Sequence, residues 1–228
     1  CLFSPSPARY ADLARGGIPS LCRQGLASIA VTCLNTAARP YGDAAIAAMS
    51  IVTRVSQFAG SAIIGFGQGF QPVCGFNYGA RKYERVTRGF RFCVKASSLI
   101  LLTLAVLGFL FAPQIIAVFR GDDPEVVRIG AKTLRLQCIS FPVTGFVVMS
   151  NMLLQNIAMT LRASVVAAAR QGLFFVPFAL ILPHLFGLAG VQCCQAASDL
   201  CAFILALCVT LPVVRQLSRG ENPVEYRK

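Results

Sequence analysis

The stretch from Gly65 to Val86, GFGQGFQPVCGFNYGARKYERV, joins a long apolar segment to a cluster of cationic residues. Glycines next to arginine and lysine suggest a phosphate-binding loop, because small residues let a backbone approach an anion. However, neither Gly65 nor Gly67 begins a complete Gly-x-Gly-x-x-Gly motif, and the preceding segment is a long apolar run rather than a short strand. We therefore interpret this stretch as the end of one membrane helix and the start of the next.

The composition indicates a membrane protein. Hydrophobic residues make up 56% of the chain and charged residues 13%, with a mean hydropathy of +0.66, which is more apolar than the surface of a soluble domain allows. Because a membrane helix needs about 20 apolar residues, and the apolar runs are continuous rather than alternating, we predict an all-α polytopic membrane protein with six transmembrane helices. The predicted stretches are residues 18–38, 44–72, 92–118, 133–157, 164–186 and 188–214.

The net charge of +12 is explained by membrane topology. If both termini are cytoplasmic, 15 lysines and arginines lie on the cytoplasmic side, 5 lie on the opposite side, and Arg54 lies inside a stretch. This asymmetry follows the positive-inside rule. We therefore predict a multi-pass protein of the cell (inner) membrane whose surroundings are the lipid bilayer, and we predict no nucleic-acid partner.

The chain divides into three parts. Residues 1–16 contain two prolines and are predicted to be a cytoplasmic linker, residues 17–217 a six-helix membrane lobe, and residues 218–228 a polar cytoplasmic tail. Because the chain opens without a methionine or the apolar core of a signal peptide, we expect it to be the later part of a longer protein.

Capping and turn residues predict helix boundaries. Asp43 follows a Pro-Tyr-Gly turn and is predicted to cap the second helix. Asp123 precedes Pro124 and is predicted to cap the helix that leads into the fourth stretch. Pro72 and Gly75 are predicted to end the second helix.

Motifs of enzymes and metal sites are missing from the sequence. It contains no Gly-x-Ser-x-Gly elbow, no phosphate-binding loop and no cluster of carboxylates. The ten cysteines form no Cys-x-x-Cys pair, and His184 is the one histidine. We therefore predict no catalytic residue, no metal site and no cofactor, and we expect the cysteines to be free thiols within apolar helices.

Two ionisable residues are predicted to lie deep within the stretches, where a charge is costly unless it is paired or solvated. Arg54 comes 11 residues after Asp43, and Asp199 comes 12 residues after Gly187, which places both about 17 Å from the outer helix ends. Being matched in depth and opposite in sign, they are predicted to pair. The pair is either a structural clamp or a coupling site at which Asp199 exchanges a proton or coordinates an ion.

Uncharged polar residues within the stretches are candidates for lining a substrate cavity, although each also suits hydrogen bonding between helices. These candidates are Asn35, Gln57, Asn151 and Gln155.

The sequence Arg-Gln-Gly-Leu occurs twice, at residues 23–26 and at residues 170–173. Internal duplication, which is common in carriers, and two independent polar helix entries both explain the match. In either interpretation Arg23 and Arg170 are predicted at the cytoplasmic surface.

Taken in order, residues 67–86 resemble the signature QG-x-QP-x-x-G-x-N-Y-G-A-K/R of the multidrug and toxic compound extrusion (MATE) transporters. Weaker matches at residues 23–25, 41–48 and 181–191, and at Asp199, extend the resemblance over most of the chain, and the MepA-type bacterial branch is the most similar. The signature residues, which we interpret as structural, are Gly67, Gln68, Gly69, Gln71, Pro72, Gly75, Asn77, Tyr78 and Gly79.

The resemblance implies a twelve-helix carrier made of two six-helix lobes, of which this chain is the C-terminal lobe and the N-terminal lobe of the same transporter is its partner. It also implies export of small amphipathic or cationic drugs by antiport against H⁺ or Na⁺. Two features depart from the family: the first and fourth stretches lack the acids with which some branches hold ions, and no proline precedes Asp199. A lipid-linked saccharide flippase of the same superfamily and a non-catalytic membrane subunit are the alternatives.

Overall fold

A computed structural model describes residues 25–223, except for the side chain of Gln171. These residues are helical almost throughout, which confirms the predicted all-α class. The helices are α1 (described over residues 25–38), α2 (Asp43–Gly79), α3 (Tyr83–Leu110), α4 (Ala112–Arg120), α5 (Pro124–Asn156), α6 (Thr160–Ala168), α7 (Phe175–Phe186) and α8 (Leu188–Ser218). A 3₁₀ turn at Arg39–Tyr41 precedes α2, and a π-helical segment at Ala169–Leu173 joins α6 to α7. The predicted linker, residues 1–16, lies outside the described residues.

The predicted stretches correspond to these helices, with two divisions that the composition does not reveal. Helices α2, α3, α5 and α8 are long and apolar enough to cross a membrane, and α7 is shorter. The third stretch is divided at Phe111, between α3 and α4. The fifth stretch is divided into α6, the π-helical segment and α7.

Helix α5 is the centre of the lobe, since α2, α3, α4, α6 and α8 all pack against it. Small residues permit the close approach. A Cβ atom on Gly145 would lie 3.2 Å from the backbone of both Ser97 and Ser98 in α3, and one on Gly67 would lie 2.2 Å from the sulfur of Met152. Packing of this kind holds helices together in lipid, where burial of apolar surface does not drive association.

One side-chain contact lies at each end of the lobe. At one end, which we call the signature end, the Tyr78 hydroxyl lies 2.8 Å from Oδ1 of Asn222. At the other, which we call the α4 end, the Tyr41 hydroxyl donates to the carbonyl oxygen of Pro183 at 3.4 Å. Because Asn222 belongs to the predicted tail, the first residues of that tail pack against α2.

The structure confirms one predicted cap and corrects another. The Asp123 carboxylate accepts hydrogen bonds from the backbone N–H groups of Glu125 and Val126, at 2.9 and 3.4 Å, and caps α5. Asp43, by contrast, is the first residue of α2, the cap position is Gly42, and no side chain caps this helix. The acidic side chain still lies in the first turn, where the positive end of the helix dipole favours it.

Helix α2 continues through Pro72 and Gly75 to Gly79, so the prediction that these two residues end it is wrong. Helices in membranes tolerate proline, because neighbouring groups can satisfy the freed backbone carbonyl. The turn that follows is made without glycine in its left-handed position, which Arg81 occupies with φ of +56°.

Helices α7 and α8 meet at a corner that depends on two glycines. Gly187 has φ of +60°, a conformation that glycine adopts without steric cost. Gly190 lies so close to the last turns of α7 that a Cβ atom there would be 2.1 Å from the carbonyl oxygen of Leu182. Backbone atoms, unlike the end of a methionine side chain, cannot rotate out of the way.

The substitution Gly190→Ala is expected to destabilise the protein by about 1–3 kcal/mol, the usual cost of overpacking, because the new methyl group meets the backbone of α7. Gly65→Ala is the matched control, since nothing lies within 4 Å of a Cβ atom at that position, and alanine favours helix. Thermal unfolding in detergent measures both variants. Equal unfolding temperatures would contradict the close approach of α7 and α8.

Candidate functional site

Asp199, on α8, is the one buried acidic residue in the described part of the chain, with 1% of its surface exposed. Its Oδ1 accepts from Nε of Arg170 at 2.8 Å and from Nε2 of Gln195 at 3.1 Å. Its Oδ2 lies 3.1 Å from the Ser140 hydroxyl and 3.4 Å from Nε2 of Gln137. Each carboxylate oxygen therefore has two donors, as an ionised carboxylate requires when it is removed from water.

The Ser140 hydroxyl has two acceptors for its single proton. It lies 2.9 Å from the backbone oxygen of Gln137 and 3.1 Å from Oδ2 of Asp199. The serine proton is therefore shared between two bonds, and the short contact with Arg170 is the principal compensation for the charge of Asp199.

Arg170 belongs to the π-helical segment, a distortion that is frequent at functional sites. Its backbone oxygen accepts from the Ser198 hydroxyl at 2.9 Å, so α8 binds both the backbone and the side chain of Arg170. Arg170 lies ten residues after the start of α6 at Thr160, about 15 Å along the helical path. The contact with buried Asp199 places the Arg170 side chain within the lobe. Its position relative to the cytoplasmic surface stays a prediction, and Arg23 is outside the described residues.

The predicted pairing of Arg54 with Asp199 is also wrong, because Arg170 occupies that position. Arg54 is exposed and lines a separate groove of about 440 Å³ formed by α2, α3, α4 and α5. The two residues were matched by depth, but successive residues of a helix point about 100° apart. Thr53 lines the cavity described below, and Arg54 points away from it.

The depth of Arg54 was counted from the start of α2, which does not mark the membrane surface. Helix α2 has 37 residues and is about 55 Å long, whereas the hydrocarbon core of a bilayer is about 30 Å thick. Arg54 shares its groove with Leu104 and Leu107, in the last two turns of α3. It therefore lies towards the α4 end of the lobe.

A cavity of about 470 Å³ lies between α1, α2, α5, α7 and α8. Arg170 is the one charged residue among the described residues that line it, and 29% of its side chain is exposed there. Gln137 and Gln195 also line the wall, so Asp199 lies directly behind it. The other polar lining residues are Thr53, Ser56, Gln57, Ser61, Thr133 and Gln192. Ser56 has a buried hydroxyl with no hydrogen-bond partner in the described part of the chain.

Of the four residues predicted to line a cavity, Gln57 lies in the wall of this one. Asn151 donates to the backbone oxygen of Ala163 at 2.6 Å and accepts from Gln155 at 2.7 Å, a network that joins α5 to α6. Asn35 is half-buried on α1, outside the cavity lining. That these four residues take part in transport stays a prediction.

The signature residues occupy the last turns of α2, and none of them lines the cavity. Gly67 permits the contact with α5 described above. The Tyr78 ring packs against that of Tyr83, with centroids 5.5 Å apart, and the Asn77 side chain donates to the backbone oxygen of Val73 at 2.8 Å. These contacts support the structural interpretation of the signature.

Sequence reasoning missed the four residues that bond Asp199: Ser140, Gln137, Gln195 and Arg170. A partial signal was present, since Gln137 and Ser140 are three residues apart and Gln195 and Asp199 four apart, the spacings that share a helix face. The repeated Arg-Gln-Gly-Leu sequence singled out Arg170 but gave no indication of its depth.

Long apolar helices around a polar cavity, with a buried ion pair behind the cavity wall, are typical of multi-helix membrane proteins. Comparison with known proteins identifies the family. The MatE family model matches residues 19–181, which is more than half of the chain. The chain therefore belongs to the MatE family, and the resemblance of its signature stretch to the MATE transporters is confirmed.

Relatives and solved structures match over one half of their length. The multidrug export protein MepA of Staphylococcus haemolyticus is 25% identical over 201 residues, covering 88% of this chain and 44% of MepA. MepA of Staphylococcus aureus strain MSSA476 is 26% identical over 211 residues, covering 92% of this chain and 46% of that MepA. An inward-facing MATE transporter of the MOP superfamily superimposes with a TM-score of 0.86 at 25% identity, over 95% of this chain and 50% of that one. An outward-facing structure of a MATE transporter superimposes with a TM-score of 0.84, over 95% of this chain and 49% of that one. The chain thus spans about half the length of the curated relatives it matches.

Asp199→Asn is expected to destabilise the protein by about 3 kcal/mol, because it leaves Arg170 without its counter-charge. Arg170→Gln should cost a similar amount, and the double variant should cost clearly less than the sum, as for residues in direct contact. Denaturant unfolding in detergent measures the three variants.

Arg54→Gln is the matched control for this cycle, since Arg54 lies in another groove. Its effect should add to that of Asp199→Asn without coupling. Coupling of Asp199 to Arg54, together with additivity between Asp199 and Arg170, would restore the pairing inferred from depth.

Proposed function

We propose that this chain forms one lobe of a multidrug exporter, which moves small amphipathic or cationic drugs across the cell membrane by antiport against H⁺ or Na⁺. Membership of the MatE family and similarity to the MepA exporters support the proposal. The N-terminal lobe of the same transporter is the partner that we propose for this one, since the relatives are about twice as long. The function is binding and translocation, with neither covalent chemistry nor a cofactor.

The observation that carries this proposal is the polar cavity of about 470 Å³. Its volume is in the range of cavities that hold drug-sized molecules. Its wall combines apolar side chains such as Phe175 and Val52 with amides and hydroxyls, a mixture that suits amphipathic compounds of varied shape. Polar groups inside a membrane protein are costly unless they contact a partner or water. A solvated translocation path explains the polar residues in the wall of this cavity.

The geometry of Asp199 supports the structural clamp over direct ion coupling. Its four donors hold the carboxylate between α5, α8 and the π-helical segment. A coupling ion at Oδ1 would have to displace Arg170, whose Nε bonds that oxygen. We propose that the pair holds α8 against the π-helical segment and shapes the cavity wall, and that residues outside this pair bind the coupling ion.

The distribution of charge supports an orientation with the signature end in the cytoplasm. Nine of the described lysines and arginines lie at or near that end, namely Arg81, Lys82, Arg85, Arg88, Arg91, Lys95, Arg162, Arg215 and Arg219. Six lie towards the other end, namely Arg39, Arg54, Arg120, Arg128, Lys132 and Arg135. By the positive-inside rule we propose that both termini are cytoplasmic.

A flippase for lipid-linked saccharides is the less well supported alternative. Such a protein must hold a pyrophosphate, which requires several cations around its cavity. In the described part of the chain Arg170 is the one cation that lines the cavity, and its charge is balanced by Asp199.

Expression of the full native protein in a drug-sensitive strain is expected to raise resistance to amphipathic cations, and dissipation of the proton or sodium gradient should abolish the increase. Gln57→Phe fills part of the cavity and should slow export roughly tenfold, equivalent to about 1.4 kcal/mol in the transport barrier. Efflux of a fluorescent cation from cells measures the rate.

Val73→Phe is the matched control on the same helix, because Val73 is 55% exposed and lies away from the cavity. It should leave export unchanged at equal expression. Failure of the native protein to export any amphipathic compound, or equal loss in the two variants, would count against this function.

A further inference from the structure

A second groove, of about 520 Å³, lies at the α4 end of the lobe, on a different face from the cavity. It is bounded by the last turn of α3, the start of α4 and the first half of α5. Arg128, Lys132 and Arg135 of α5 line it, and all three side chains are exposed. We refer to it as the basic groove.

The three cations of the basic groove lie on one face of α5. Arg128 and Lys132 are four residues apart, and Lys132 and Arg135 are three apart, so that each is a neighbour of the next along the helix. Like charges at these spacings repel, and each pair destabilises a helix by a few tenths of a kcal/mol. An anion bound between them would remove this repulsion.

The neighbouring acids compensate for only part of this charge. Glu125 contacts Arg128 at 3.4 Å, and Asp123 is engaged in capping α5. Neither Lys132 nor Arg135 forms an ion pair with any residue of the described part of the chain. Two full positive charges in the groove therefore have no counter-charge.

Arg135 uses one of its five guanidinium N–H donors in a contact within the lobe. Its Nε donates to the backbone oxygen of Phe109 at 3.3 Å, in the last turn of α3, and its guanidinium lies 5.6 Å from the centroid of the Phe109 ring. Carbonyls at the end of a helix need such a donor. The contact positions the guanidinium at the groove and leaves its four remaining N–H groups for an acceptor.

The basic groove continues into an apolar surface on the side that leads deeper into the lobe. Leu136 and Ile139 follow the cations along α5 and line the same groove, and Ile139 is 64% exposed. Phe109 forms the opposite wall, with 46% of its surface exposed. Cations therefore lie at the entrance, and apolar side chains lie below them.

We propose that the basic groove binds an anionic phospholipid. Its headgroup phosphate contacts Lys132 and Arg135, and an acyl chain lies along Leu136 and Ile139. Charge complementarity identifies the headgroup, since basic pockets beside membrane helices recognise acidic lipids. A free phosphate would use the cations and leave the apolar half of the groove without a function. The lipid would brace α3 against α5, the helix on which the lobe is centred.

The test uses the full native protein, purified and delipidated in non-ionic detergent. Native mass spectrometry counts bound dioleoyl phosphatidylglycerol and gives its dissociation constant, with dioleoyl phosphatidylcholine and inorganic phosphate as separate arms. Lys132→Gln is expected to weaken phosphatidylglycerol binding about fivefold, and Lys132→Gln with Arg135→Gln about 25-fold, in line with the contribution of one cation at an anionic lipid surface.

The control variant removes two cations at the signature end, Arg81→Gln with Arg85→Gln. It should leave the dissociation constant of phosphatidylglycerol at the basic groove unchanged. Lys132→Gln alone keeps the contact of Arg135 with Phe109, so its effect does not depend on the folding of the double variant. Equal affinity for phosphatidylglycerol and phosphatidylcholine, binding of inorganic phosphate alone with the same affinity, or equal losses in the control would each overturn the proposal.

Discussion

The contact between Asp199 and Arg170 is the interaction on which the arrangement of this lobe depends. A charge inside a membrane protein is stable only if another charge and enough hydrogen bonds replace the lost water. Meeting that requirement brings together α5, which supplies Gln137 and Ser140, α8, which supplies Gln195, and the π-helical segment that carries Arg170. Gln137, Gln195 and Arg170 also line the cavity, so the network around the ion pair lies directly behind one cavity wall.

The two faces of α2 show how one helix contributes both to packing and to the cavity wall. Towards the signature end, Gly67 and Tyr78 make structural contacts with α5 and the start of the tail. Nearer its other end, Thr53 and Gln57 face the cavity, and Arg54, one residue from Thr53, faces a different groove. A helix of about 55 Å serves these purposes because it is much longer than the hydrocarbon core of the bilayer. The signature that marks the family therefore lies outside the cavity lining, in the last turns of α2.

The sequence was sufficient for the fold and insufficient for the site, for physical reasons. Apolar stretches predicted the all-helical membrane class, and Asp123 with Pro124 predicted the start of α5, because hydropathy and capping are local properties. The partner of Asp199 was not predictable in this way. Distance along a helix is readable from sequence, but the depth at which α2 begins, the direction of Arg54 around α2 and the π-helical displacement of Arg170 follow from packing. Pro72 was misinterpreted for a related reason, since a proline that would end a helix in water is accommodated within a membrane lobe.

The claim that the buried pair is a clamp is tested most directly by the pH dependence of transport in proteoliposomes that contain the full native protein. Two variants, Asp199→Asn and the combination Arg170→Gln with Asp199→Asn, are compared with the native protein at equal amounts of folded carrier. The account predicts that their transport rates change but keep the native dependence on pH and on the imposed ion gradient, since Asp199 binds Arg170 rather than the coupling ion. Transport by both variants that has lost its dependence on pH or on the ion gradient would show that Asp199 is the coupling residue and would contradict the account.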